Sequence, residues 1–293
     1  MDSSHPGKGS SFERPESTGL ISIGALETKV PAALNSLLSS LDVPPVMSKN
    51  YAYPGTLSSE ITCEIQGFLQ EKNIHSAVFD IRIPYWTNKS RFNRDRNLAK
   101  KLLSACESLS VNNSFILTNG GKFLGNALGY LAESFEIRNT LKGEGPPDLT
   151  KYILEIGADL LMMTGKAGHR REAKMYLRDR ILSGAFSSYS PDSPERWDVL
   201  AWEKGYVHHL SIGEIHQLKE YLADTHPEIS LFLKKKERDP VEIDDVLIEF
   251  YSPRGQKTLI DEQIYRKVFV FSPHPPKHQP MVLERWGLNL HCR

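Results

Sequence analysis

Lys122–Gly168, KFLGNALGYLAESFEIRNTLKGEGPPDLTKYILEIGADLLMMTGKAG, is the run of the chain that carries the most specific signal. Asn119-Gly120-Gly121 ahead of it reads as a turn leaving an apolar strand. Leu124, Leu128 and Leu131, continued by Phe135, Ile137 and Leu141, set the period of a helix. Gly143-Glu144-Gly145-Pro146-Pro147 stops that helix, and Asp148 stands where a cap would open the next. Leu149, Ile153, Ile156, Leu160 and Met163 form the second helix's apolar face, with Gly165 and Gly168 past its end. Arg170–Leu182 reads as a third, basic helix stopping near Gly184.

Working upstream, Asn113–Thr118 (NSFILT) and His75–Ile83 (HSAVFDIRI) are short, nearly continuous apolar runs suited to strands covered on both faces. The helical stretch Arg94–Leu109 between them makes a strand–helix–strand unit, which predicts parallel, right-handed pairing. Earlier still, residues 20–43 give a short strand and a helix on Leu34, Leu37, Leu38 and Leu41. Residues 44–59, rich in Pro, Gly, Tyr and Ser, read as loop, and a further helix starts at Ser59. Downstream, residues 186–204 read as a linker. Strands at Gly205–Leu210, Val241–Tyr251 and Lys267–Phe271, with a helix at Ile212–Leu222, suggest a small unit. Lys234-Lys235-Lys236-Glu237-Arg238 reads as a solvated charge run, and the tail from Pro273 as a surface segment.

The fold class expected is therefore α/β: a parallel-sheet α/β domain with packed helices, followed by a small C-terminal α+β domain. The expected organisation is a disordered leader over 1–18, the α/β and helical region over 19–185, the linker, and the second domain over 205–293.

Lys plus Arg equals Asp plus Glu at 36 each, so no overall field steers the chain toward nucleic acid or membrane. No run approaches the ~18 apolar residues of a spanning helix. Cys63, Cys106 and Cys292 are too widely separated for a CxxC pair or a disulfide framework, which points to reduced thiols and an intracellular, cytoplasmic setting. His208, His209 and His216 lack the acidic or thiol company of a zinc site, so no cofactor is expected.

Three pieces of the opening stretch carry a resemblance. They are Lys122-Phe123-Leu124-Gly125, then Gly129-Tyr130-Leu131-Ala132-Glu133, then Gly143-Glu144-Gly145-Pro146-Pro147-Asp148-Leu149. In type and spacing they resemble the pyrimidine nucleoside phosphorylases, the family that includes thymidine phosphorylase, which reads Pro-Leu-Gly, GNALEV and GxGPxDL. Val78–Ile83 is similar to the family's VxDVKxG strand, Gly19–Pro31 to its GLGHTGG segment, and Asp239–Glu249 to part of its C-terminal domain.

The resemblance implies phosphate-dependent cleavage of a pyrimidine nucleoside in a cleft beside the sheet. It also implies that the family's N-terminal helical domain is largely missing here, together with its KHSTGG phosphate loop. Aligned with the base-clamping segment, Ile61–Ile65 (ITCEI) places Glu64 where the family has a base-contacting Ser, and Phe68 where it has a Lys. Losing one such donor is worth about 3 kcal/mol of transition-state stabilisation. Leu124, Ala127 and Glu136 fall where some members hold a monovalent cation, although Glu136 also reads as a residue on an exposed helix face.

Three readings stay open. The first is a catalytically inactive relative, a pseudoenzyme with a binding or scaffolding role and no catalytic residue to assign. The second is an active phosphorylase, completed by further N-terminal sequence or by a partner, with a pyrimidine nucleoside and phosphate as ligands. The third is a structural subunit, forming a homo- or hetero-oligomer.

Overall fold

A computed structural model describes residues 17–23, 29–51, 59–83, 89–183, 195–252 and 260–287. Four parallel strands form its first sheet: β1 (Ser17–Ile23), β2 (Met47–Tyr51), β3 (Ile74–Ile83) and β4 (Asn112–Asn119). Their spatial order is β4-β3-β1-β2, so the chain reverses its direction of travel across the sheet between β1 and β3. In open α/β sheets the carboxyl end of such a switch point is where ligands bind.

Alternation along the strands sorts the two faces. Ala77, Phe79, Ile81 and Ile83 of β3 join Ile21, Ile23, Phe115 and Leu117 in an apolar layer. Helices α2 (Ser59–Glu71) and α3 (Lys89–Ser108) cover this layer through Ile65, Leu69, Leu102 and Cys106, and Phe79 stacks on Phe115 at 4.3 Å. The other face carries Leu20, Val78 and Ile116 together with the buried polar residues Ser76, Asp80, Arg82, Ser114 and Thr118. Its helices are α1 (Lys29–Ser39), α4 (Tyr130–Leu141), α5 (Pro147–Met163) and α6 (Arg170–Leu182). Burying polar groups there requires partners. Thr118 donates to Asp80 at 2.8 Å, the Tyr152 hydroxyl of α5 also donates to Asp80, and Ser114 donates to Asp159 at 2.8 Å.

Several expectations are corrected. Ser17 and Thr18 belong to β1 and not to a leader; residues 1–16 lie outside the described chain. The loop expected over 44–59 contains β2, a polar strand held by its register on β1, Gly19 opposite Met47. The helix expected from Leu124 starts only at Tyr130. Gly125 and Gly129 take φ of 65° and 93°, and Ala127–Leu128 form a short strand, β5. Pro146, not Asp148, is the N-cap of α5. Within the proposed linker, Glu195–Leu200 is a strand, β6, paired antiparallel with β10 (Val246–Ser252); residues 184–194 lie outside the described chain.

The second unit holds two sheets. β5, β8 (Ser230–Leu233), β10 and β6 form one, and β7 (Gly205–Leu210), β9 (Pro240–Val241) and β11 (Phe269–Ser272) form the other. Its core, around α7 (Ile212–Thr225), takes in Phe123 and Leu128 of the opening stretch, so that stretch stitches both units together. Short helix α8 (Glu262–Arg266) precedes β11.

Within the described residues the tail is not simply a surface segment. Val282–Gly287 forms β12, which returns to the first sheet and pairs antiparallel with β4. Arg285 donates to Asp159 at 2.7 Å, and Arg96 to Glu284 at 2.7 Å. Among the described residues no helix is long and apolar enough to cross a membrane.

Candidate functional site

The carboxyl end of the sheet opens on a cleft of about 760 Å³ bounded by Lys122, Phe123, Asp148, Lys236, His278 and Met281. Three features of the sequence build it. Gly120 follows β4 so closely that a Cβ there would lie 2.9 Å from the Arg82 carbonyl carbon. Gly125, at positive φ, folds the 123–127 turn back over α4. Pro146 and Pro147 open α5 beside it, with Leu149 amide bonded to Asp148 Oδ1 at 2.9 Å.

Behind Phe123 and Asn126 of the cleft wall lies an ion pair hidden from water. Lys29 Nζ, on a side chain with 0% exposure, stands 2.7 Å from Glu136 Oε2 and donates to the Ala127 carbonyl at 3.0 Å. The other carboxylate oxygen, Glu136 Oε1, accepts from the amides of Asn126 at 2.5 Å and Ala127 at 3.0 Å. Glu136 is thus buried and not on an exposed helix face, because its partners come from a turn that the sequence places beside α4 and from α1. Lys29 was missed, though a signal exists: it occupies the same frame of α1 as Ala33 and Leu37, where an apolar residue is expected.

Lys236 closes the same turn from the second unit. Its Nζ donates to the carbonyls of Phe123, at 2.6 Å, and Gly125, and pairs with Asp148 at 3.1 Å. Burial pushes its pKa below the usual lysine value, against the opposing pull of Asp148. Lys29 and Lys236 both approach the Phe123 ring, at 4.8 and 5.3 Å from its centroid. The charge run is therefore not a solvated face. Lys235 pairs with Asp245 at 2.8 Å, and Glu237 approaches Lys122 at 3.7 Å.

The predicted positions separate into four groups. Leu124, Gly125, Ala127, Glu136 and Asp148 meet in or beside this turn. Gly129 is pressed against Ser230 and Glu133 pairs with Lys219 at 3.0 Å, both on the second unit's side. Gly145 abuts Thr140, Gly143 turns at φ 84°, and Leu149 is in the core, which are packing roles. Glu64 and Phe68 lie apart on α2, across the sheet. Glu64 is exposed, and Phe68 is half-buried against the apolar layer. Gly24, Ala25 and Pro84–Trp86, which bear on the family's glycine turns, lie outside the described residues. His208 and His209 stand on strand β7 and His216 on α7; among the described residues no three His, Cys, Asp or Glu side chains converge as metal ligands.

The monovalent ion implied by resemblance does not fit this turn. An ion bound to both Ala127 O and Glu136 Oε2 would occupy the place of Lys29 Nζ, which already bonds to both atoms. A Cβ on Gly125 would stand 2.2 Å from Glu136 Oε2 and 2.9 Å from Lys29 Nζ, so the backbone leaves no second cation room.

No family model matches the chain. It is similar to pyrimidine-nucleoside phosphorylases of Staphylococcus aureus strains USA300, NCTC 8325 / PS 47 and bovine RF122 / ET3-1. Identity to each is 28% over 185 aligned residues. The match takes in 54% of this chain and spans 43% of the length of those relatives. The parallel sheet, the glycine turn and the GxGPPDL helix start all lie in a chain that is, over this half of its length, distantly similar to the pyrimidine-nucleoside phosphorylases.

Proposed function

We propose that the chain keeps the fold of its phosphorylase relatives without their phosphorolytic chemistry, and serves as a binding or scaffolding protein. The observation that carries this reading is on α2. The two positions aligned with a base-clamping Ser and Lys hold Glu64, which faces solvent, and Phe68, which packs into the apolar layer. Neither supplies the cationic or hydroxyl donor that a departing pyrimidine requires.

The cleft supports the same reading. A dianionic nucleophile is held by cations whose field is not already cancelled. Here Lys236 is matched by Asp148 at 3.1 Å and Lys122 by Glu237 at 3.7 Å. Lys29 is spent on Glu136.

The test is release of free base from thymidine and from uridine by purified protein, with and without inorganic phosphate. The expected result is no phosphate-dependent release above the protein-free control. Phosphate-dependent release of thymine or uracil would overturn the proposal in favour of an active phosphorylase. A parallel thermal-shift series with uridine, thymine and phosphate reads binding separately from turnover, because a ligand that prefers the native state raises its stability.

A further inference from the structure

The 123–127 turn offers what a monovalent cation seeks: a carbonyl oxygen at Ala127, a carboxylate at Glu136 and an aromatic face at Phe123. The group that takes all three is a side chain of this protein. Lys29 reaches them from the first residue of α1, with its ammonium fully shielded from water. We propose that the Lys29 ammonium is the resident cation of this turn, tethered through α1, so that the protein holds the turn closed without any metal ion.

Charge and geometry both favour this assignment. A lysine ammonium carries the same single charge as a monovalent ion and donates up to three hydrogen bonds. Two are made here, to Ala127 O at 3.0 Å and Glu136 Oε2 at 2.7 Å, and the ring of Phe123 lies 4.8 Å away. The carboxylate is satisfied on its other side by the Asn126 and Ala127 amides, so Glu136 is neutralised and fully bonded with no further ligand. Tethering also removes the dissociation step: a free ion leaves when its concentration falls, whereas Lys29 is held by the burial of Val30, Ala33, Leu34 and Leu37 along the same helix. The turn is then coupled to α1 itself, and Lys236 fastens its outer side from the second unit.

The experiment is thermal unfolding of the full chain in potassium, sodium, ammonium and tetramethylammonium chlorides at equal ionic strength. The wild-type melting temperature is expected to be the same in all four salts. A rise in potassium or sodium over tetramethylammonium would overturn the proposal, and this arm needs no variant. Lys29→Ala leaves the carboxylate and carbonyl in place with the ammonium gone. It is expected to melt lower in tetramethylammonium and to recover in ammonium or potassium chloride. Cation at roughly ten times its dissociation constant should give about 2 °C of recovery. Lys29→Ala unfolded in every salt, or melting at one temperature in all four, overturns the proposal. Lys29→Ala/Glu136→Ala removes the anion as well and is expected to show no preference among the salts. A recovery in the double variant equal to that of the single one would place the ion elsewhere and overturn the assignment.

Discussion

Asp159 is the charge on which α5, α6, β4 and β12 meet, and its removal has a cost that can be worked from the geometry. Its side chain is fully buried in α5. Oδ1 accepts from Arg170 Nε at 2.9 Å and Nη2 at 2.7 Å; Oδ2 accepts from Ser114 at 2.8 Å and from Arg285 Nη1 at 2.7 Å. The carboxylate thus ties α5 to α6, to β4 and to the returning strand β12. Asp159→Ala leaves two guanidinium groups facing each other across the space it held. Breaking a buried pair by removing one partner costs about 3–5 kcal/mol. The low end applies here, because Arg170 and Arg285 keep 31% and 20% exposure and can turn partly to water. About 3 kcal/mol in a chain of this size lowers the melting temperature by roughly 5 °C. Arg285→Ala should cost less, about 1–2 kcal/mol, since Asp159 keeps the Arg170 fork. Its second carboxylate partner, Glu155, likewise keeps Lys174 at 2.6 Å. Calorimetry of both variants is the assay, with Trp286 fluorescence as a local reporter, because Trp286 lies on β12 beside Arg96 at 5.6 Å. An Asp159→Ala melting temperature within about 2 °C of wild type would refute the reasoning, as would Arg285→Ala being the more damaging of the two.

Two further outcomes follow from shifted groups. Burial, with Glu107 adding to it, pushes the Cys106 thiol pKa up to about 12. At pH 8 only about one molecule in ten thousand would carry its thiolate. Iodoacetamide should therefore modify exposed Cys63 in the native protein and Cys106 only after unfolding, read by peptide mapping; native labelling of Cys106 at a comparable rate refutes this. Lys236 has a folded pKa below its unfolded value of 10.5, so the unfolded chain binds more protons on the alkaline side. The Lys236 contribution to stability then rises with pH up to the unfolded pKa. In urea titrations the stability of wild type relative to Lys236→Met should grow as the pH is raised toward the unfolded value of 10.5, and a flat or falling difference would contradict it.

What could be read from the sequence was what repeats within a window. α5 announced itself because Leu149, Ile153, Ile156 and Leu160 recur at the helical period, and the end of β4 is marked by Gly120 and Gly121. β2 was illegible because Met-Ser-Lys-Asn-Tyr has no apolar alternation; its strand state comes from pairing with β1 at the sheet's edge. β12 was hidden behind the prolines of residues 273–281, and its partner, β4, stands far upstream. The site suffered most, because a buried ion pair is a contract between distant positions. Lys29 and Glu136 are 107 residues apart, and Asp159 and Arg285 are 126 apart, so no local pattern contains both members. What a single window does contain is the anomaly: a lysine in the apolar frame of α1, and Glu133 and Glu136 in the frame of α4 that Ala132 and Leu141 bury. Burying an unpaired charge costs far more than a helix gains from one extra apolar contact. A charge at such a position therefore requires an opposite charge at another. The matching of two such anomalies, Lys29 on α1 with Glu136 on α4 over the same sheet face, is the step that only the fold supplies.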